Sequence, residues 1–299
     1  MNRDILRKLK SKKYLADGAW GTYLHKKGLK PGECPELWNS TNAKKVYEVA
    51  KSYVDAGSDI IETNSFGGSI IKLKEYQLGE RCYELNKLAA EISRSAGGND
   101  TIVFGSIGPT GKFIITGDVT EEELYESYTT QSKALEDGGA DVICLETFYD
   151  LEEARISIAA AKENTSLPVA CTFTFDKSMD GTFTTIMGVT PSEMAVHLKE
   201  FGADIIGTNC GNGLLDMILI VEQIKMSDGS LPLLVQSNAG LPIIEGGGLK
   251  YPEDPAFFIS HFSKLMDAGA DIIGGCCGTT PEHIAALRVK INSLNSGSK

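Results

Sequence analysis

Gly269-Ala270-Asp271-Ile272-Ile273 repeats a phrase that the chain has already used three times, as Gly57-Ser58-Asp59-Ile60-Ile61, Gly139-Ala140-Asp141-Val142-Ile143 and Gly202-Ala203-Asp204-Ile205-Ile206. A helical pattern precedes each copy, over 47–56, 128–137, 193–201 and 258–268. The glycine of each copy suits the residue just past a helix end, where positive φ is needed. The β-branched run that follows suits a strand buried on both faces. Four further strands are predicted between the copies, at 14–17, 101–107, 168–175 and 233–238, with more helices over 151–162 and 214–225. Eight strands alternating with helices predict an α/β chain folded as a closed parallel (β/α)8 (TIM) barrel. An open doubly wound sheet is the alternative topology. No Pro-, Gly- or Ser-rich linker interrupts the pattern, so one domain is expected over residues 1–292, with 293–299 as a frayed tail.

The length of 299 residues accommodates such a barrel, which commonly takes about 250. A formal charge of −11 argues against a nucleic-acid or anionic-membrane partner, since phosphates would be repelled. No run of about 18 apolar residues predicts a membrane span, and the charged N-terminus lacks the apolar stretch of a secretory signal. Seven cysteines, an odd number, do not form a disulfide framework. A reducing, cytoplasmic setting is expected.

In barrels of this kind the chemistry gathers at the C-terminal ends of the strands. Those ends read Asp17-Gly18, Glu62-Thr63-Asn64, Gly105 to Gly111, Glu146-Thr147, Thr172 to Asp176, Asn209-Cys210, Asn238 and Cys276-Cys277. Cys210 and the pair Cys276-Cys277 each follow a copy of the repeated phrase, so equivalent strands deliver three thiols to one end of the molecule. Three thiolates with an open fourth position suit a Zn²⁺ ion that activates a substrate thiol. The glycines around them give the backbone freedom to turn an adjacent pair onto one ion. Cys82, Cys144 and Cys171 sit in apolar patterns and read as core, whereas Cys34 lies in a loop with no assigned role. Only four histidines exist and none ends a strand, which disfavours hydrolysis by a histidine-bound metal hydroxide. His283 reads as an ordinary residue of a helix begun by Thr280-Pro281.

Asp17-Gly18-Ala19-Trp20-Gly21-Thr22, Glu62 to Phe66, Gly105 to Thr110, Glu146-Thr147-Phe148, Asn209-Cys210 and Gly274 to Thr280 together resemble the homocysteine S-methyltransferase family. Within it, they are most similar to the homocysteine-binding module of cobalamin-dependent methionine synthases. The resemblance spans Asp17 to His283. It implies transfer of a methyl group to homocysteine, giving methionine, with Cys210, Cys276 and Cys277 as zinc ligands. It also implies that Asn238 can fill the fourth position when substrate is absent, and that Asp17, Gly18, Thr63 and Glu146 hold the amino-acid end of homocysteine. A carboxylate accepting from an ammonium, and an amide or hydroxyl donating to a carboxylate, fit those roles. No Asp-x-His-x-x-G corrinoid-ligand motif is present, so the methyl donor is expected to be methylcobalamin carried by a separate corrinoid protein. Thr147 stands where the betaine-using branch has a tyrosine. S-methylmethionine or S-adenosylmethionine as donor, or another small thiol as acceptor, are the alternatives.

Overall fold

In the computed structural model, which describes residues 3–227, 229–245 and 248–297, the repeated phrase lies at the same place in each quarter of a barrel. The barrel strands are β1 (Tyr14–Leu15), β2 (Ile60–Glu62), β3 (Ile102–Ile107), β4 (Val142–Phe148), β5 (Val169–Phe173), β6 (Ile205–Asn209), β7 (Leu233–Ser237) and β8 (Ile272–Gly275). The helices that follow them are α1 (Ala43–Asp55), α2 (Cys82–Gly97), α3 (Glu121–Asp137), α4 (Leu151–Asn164), α5 (Pro191–Glu200), α6 (Leu214–Ser227), α7 (Pro255–Ala268) and α8 (Pro281–Gly297). All pairings within the eight-stranded sheet are parallel, and the order runs β1-β8-β7-β6-β5-β4-β3-β2. The seam between β1 and β2 is bridged where the Asp59 amide donates to the Leu15 carbonyl at 2.7 Å. This is the (β/α)8 barrel, and the open sheet is excluded.

The four copies share one physical logic. Gly57, Gly139, Gly202 and Gly269 all have φ between 93° and 116°, as a left-handed helix terminus requires. The next amide reaches back to the helix each time: Ser58 to Tyr53, Ala140 to Leu135, Ala203 to Leu198 and Ala270 to Leu265. The aspartate then clamps the preceding odd-numbered strand. Its amide donates to a carbonyl in the first two residues of that strand, and its Oδ2 accepts the same residue's amide, at Leu15, Val103, Val169 and Leu233. Each aspartate also meets a cation: Arg288 for Asp59, Arg94 for Asp141, Lys162 for Asp204 and Lys13 for Asp271. These four clamps form the N-terminal face of the barrel.

Inside the barrel, Tyr14, Ile60, Ile102, Phe104, Val142, Cys144, Ala170, Ile205, Leu234 and Ile272 pack together, and Leu9 of the N-terminal helix closes the bottom. A second apolar layer fills the space between strands and helices. The cysteines read as core are buried as expected, and Cys34 is buried too, its thiol donating to Glu36 at 3.2 Å.

Several boundaries differ from the sequence expectation. α3 and α7 start earlier than predicted because Thr120, in a capping box with Glu123, and Asp254, ahead of Pro255, cap their first turns. Two hairpins, Asp176–Lys177 with Phe183–Thr184 and Ile243–Glu245 with Gly248–Lys250, were not expected. The tail expected from Ser293 is helical as far as Gly297, a continuation of α8, while Ser298 and Lys299 lie outside the described residues. Among the described residues no helix is long and apolar enough to cross a membrane.

Candidate active site and metal centre

Cys210, Cys276 and Cys277 converge at the C-terminal mouth of the barrel, with all three sulfurs within 4.8 Å of one another. The backbone explains how. β6 ends at Asn209, and Cys210 then adopts φ 57°, a left-handed conformation that few non-glycine residues take. Its amide is held by the Gln236 carbonyl of β7. At the end of β8, the Cys276 amide donates to Ser237 at 2.7 Å, and the Cys277 carbonyl accepts from Ala239 at 2.9 Å. Thr279 closes this turn: its Oγ1 donates to the Cys276 carbonyl and accepts the Ala19 amide. A side chain at Gly18 would collide with Thr279 and Tyr53, so the first strand's loop can approach only as glycine.

The donor set fits zinc. A tetrahedral ion with Zn–S bonds of about 2.3 Å places its sulfurs roughly 3.8 Å apart, and Cys210 and Cys277 stand 4.0 Å apart. Hydrogen bonds from Cys276, and then Cys277, pull the Cys210 thiol down to about 3. The same sharing pushes Cys276 up. The three thiols thus give up their first proton readily, with the remaining protons shared among them. Asn238 lies against it, hydrogen-bonded to Cys210, and its buried Oδ1 has no donor. An orphaned acceptor beside three sulfurs is the arrangement a fourth ligand needs.

A cavity of about 380 Å³ opens onto the sulfurs, and Gly18, Thr63 and Glu146 of the expected substrate residues line it. Glu146, 7% exposed, accepts from the Ser106 hydroxyl and from Asn209 at 3.2 Å. Asn209 is itself locked, since its Oδ1 accepts from Thr172 and the Thr147 amide while its Nδ2 donates to Thr147. Thr147 is held at φ 63° by this network. The Thr63 hydroxyl already binds Ser65 and the Ser106 amide, so it shapes the loop as well as facing the cavity. Asp17 and Asn238 stand behind the lining. Asp17 is fully buried, its Oδ2 accepting from Trp20 and the Glu62 amide while its Oδ1 has no partner.

Sequence reasoning passed over Glu62 as a site residue. Its carboxylate lines the same cavity and accepts from Gln236 at 2.9 Å, bridging β2 to β7 across the mouth. Burial pushes Asp17 and Glu146 up to about 7. It pushes Glu62 further, with Glu146 and Asp17 adding repulsion. Glu62 and Glu146 in the lining and Asp17 behind it, with no Lys or Arg lining the cavity among the described residues, favour an incoming ammonium.

The sequence model of the homocysteine S-methyltransferase family matches residues 14–291. Methionine synthase from Mycobacterium leprae is 28% identical over 99% of the chain, and that from Mycobacterium tuberculosis 29% over 97%. The chain spans about a quarter of the length of each, 26%. The metallated form of the homocysteine methyltransferase MmuM from Escherichia coli superposes with a TM-score of 0.77 at 23% identity, covering 96% of this chain and 99% of that one, a likeness of fold.

Proposed function

From its membership of the homocysteine S-methyltransferase family, to which this chain belongs, we propose that the barrel binds homocysteine and methylates its thiol to give methionine. The observation that carries this reading is a single cavity lined both by three converging sulfurs and by buried carboxyls. Homocysteine has a thiol and an ammonium at its two ends, so the cavity matches it in chemistry and polarity.

Cys210, Cys276 and Cys277 would hold a zinc ion, with Asn238 as the fourth donor when substrate is absent. Zinc held by three thiolates would keep an incoming thiol deprotonated and electron-rich at neutral pH. The chain's own residues place the remaining atoms. Glu146, fixed by Ser106 and Asn209, accepts from the substrate ammonium, and the Gly18 amide suits its carboxylate, while Thr63, whose hydroxyl proton goes to Ser65 because Ser65 donates to Ser106, shapes the wall beside it. Asp17 orders this end indirectly, by fixing Trp20 and the Glu62 amide. With both ends of the substrate held, its sulfur presents one lone pair to the donor, which is the positioning a direct displacement at carbon requires.

We assign the donor as a methylcorrinoid carried outside these residues. The identity with methionine synthases along almost the whole chain supports this choice over S-methylmethionine. The test is methyl transfer to homocysteine from free methylcobalamin, S-methylmethionine and betaine in turn, on protein of measured zinc content. Turnover with methylcobalamin alone is expected. Turnover with S-methylmethionine would overturn the assignment of donor, and silence with every donor would overturn the activity.

A further inference from the structure

The three sulfurs come from two separate segments, one after β6 and one after β8, and the loop between β7 and α7 touches both. Glu253 is the meeting point. Its Oε2 accepts the amide of Leu214, the first residue of α6 and four residues beyond Cys210. Its carbonyl accepts from His283 Nε2 at 3.0 Å, in the first turn of the helix after Cys276-Cys277. Its amide donates to Ala239, whose own amide holds the Cys277 carbonyl. Packing is close on the Gly213 side, where a Cβ would lie 2.4 Å from its Oε1. Two residues earlier, the Tyr251 phenol hydrogen-bonds Cys277, and its ring covers Gly278 so closely that a Cβ there would lie 2.1 Å away.

We propose that Glu253 is the positioning residue that sets Cys210 in register with Cys276 and Cys277, clasping the two sulfur-bearing segments into one metal site. The inference rests on the reading of the three cysteines as metal ligands. Cys210 needs such a clasp more than its partners do. Its left-handed backbone is unfavourable by itself, and just past it the chain must enter α6 at a fixed angle. A carboxylate on the first amide of α6 fixes that angle and suits the positive end of the helix. Loss of an outer partner of a metal ligand typically weakens metal binding about 10- to 100-fold.

The experiment compares the wild type with Glu253→Ala and Glu253→Gln, using Co²⁺ as a spectroscopic probe and chelator competition for Zn²⁺. In the alanine variant, thiolate-to-cobalt charge-transfer absorption should fall by about a third as Cys210 detaches, and Zn²⁺ affinity should fall about 10- to 100-fold. The glutamine variant keeps an oxygen for the Leu214 amide and should restore both. Should the alanine variant fail to fold, Glu253→Asp, one methylene too short to reach Leu214, must reproduce the loss. Full charge-transfer intensity with unchanged Zn²⁺ affinity in the alanine variant would overturn the proposal, as would equal losses in the alanine and glutamine variants. A wild type with no thiolate-to-cobalt band would instead overturn the metal reading beneath it.

Discussion

In the variant Glu146→Gln, two effects of opposite sign should appear together. Glu146 is buried, and burial lifts its carboxyl from 4.5 to about 7. The folded state therefore binds this proton more tightly than the unfolded chain does. Its contribution to stability is complete below about pH 4.5 and is lost as pH rises through about 7. A shift of this size corresponds to about 3 kcal/mol, at 1.36 kcal/mol per unit. Glutamine has no such proton, so the stability of the variant relative to wild type should improve by about 3 kcal/mol between pH 4.5 and pH 8. The amide keeps one oxygen for Asn209 Nδ2 and turns its NH2 toward the Ser106 hydroxyl, which can accept. Any cost of that exchange is the same at every pH and leaves the difference intact. Homocysteine binding should move the other way. Losing a charge-assisted bond of about 1.5–3 kcal/mol weakens it roughly 10- to 100-fold. Urea unfolding at the two pH values, with calorimetric titration of homocysteine at pH 8, reads both effects. A stability difference independent of pH would refute the account of burial, and unchanged homocysteine affinity would refute the role of Glu146.

Cys210→Ser should lower zinc content to background by elemental analysis, whereas Cys34→Ser, in a thiol outside the cluster, should leave it unchanged. Asp204→Ala removes the clamp on Val169 and its pair with Lys162. It should cost about 2 kcal/mol in urea unfolding with no change in homocysteine affinity, because it acts on the opposite face from the site. Gly207→Ala would place a Cβ 1.9 Å from the Leu234 carbonyl, backbone against side chain with no room to yield. A loss of about 3 kcal/mol or more is expected, read from the denaturation midpoint.

The repeated phrase made the barrel legible because each copy joins a helix end to a buried strand. It also placed Cys210 and Cys276-Cys277 at equivalent strand ends. What the aspartate of that phrase does was not legible, since its partners lie a whole helix away along the chain. Glu62 ends Ile60-Ile61 as Glu146 ends Cys144-Leu145, so the argument that singled out one carboxylate applied equally to the other. Its partner Gln236 is 174 residues distant and no local pattern joins them. Glu253 carries still less signal: it lies in a loop among other acids, and its importance arises only from what folds around it. The hairpin at 176–184 did leave a mark, Asp180-Gly181, a dipeptide that commonly turns one strand into the next.

The aspartate clamps tie β1 to β2, β3 to β4, β5 to β6 and β7 to β8, so the barrel is built of quarters, each fastened at its base. The even strands of the first two quarters carry Glu62 and Glu146 near their C-terminal ends, and those of the last two are followed directly by Cys210 and Cys276. The two halves of the chain thus divide the labour, one offering acids and the other sulfur. The sulfur half also holds the acids in place, since Asn209 donates to Glu146 and Gln236 to Glu62, so an engineer wishing to change the acceptor must alter the acids together with these two partners.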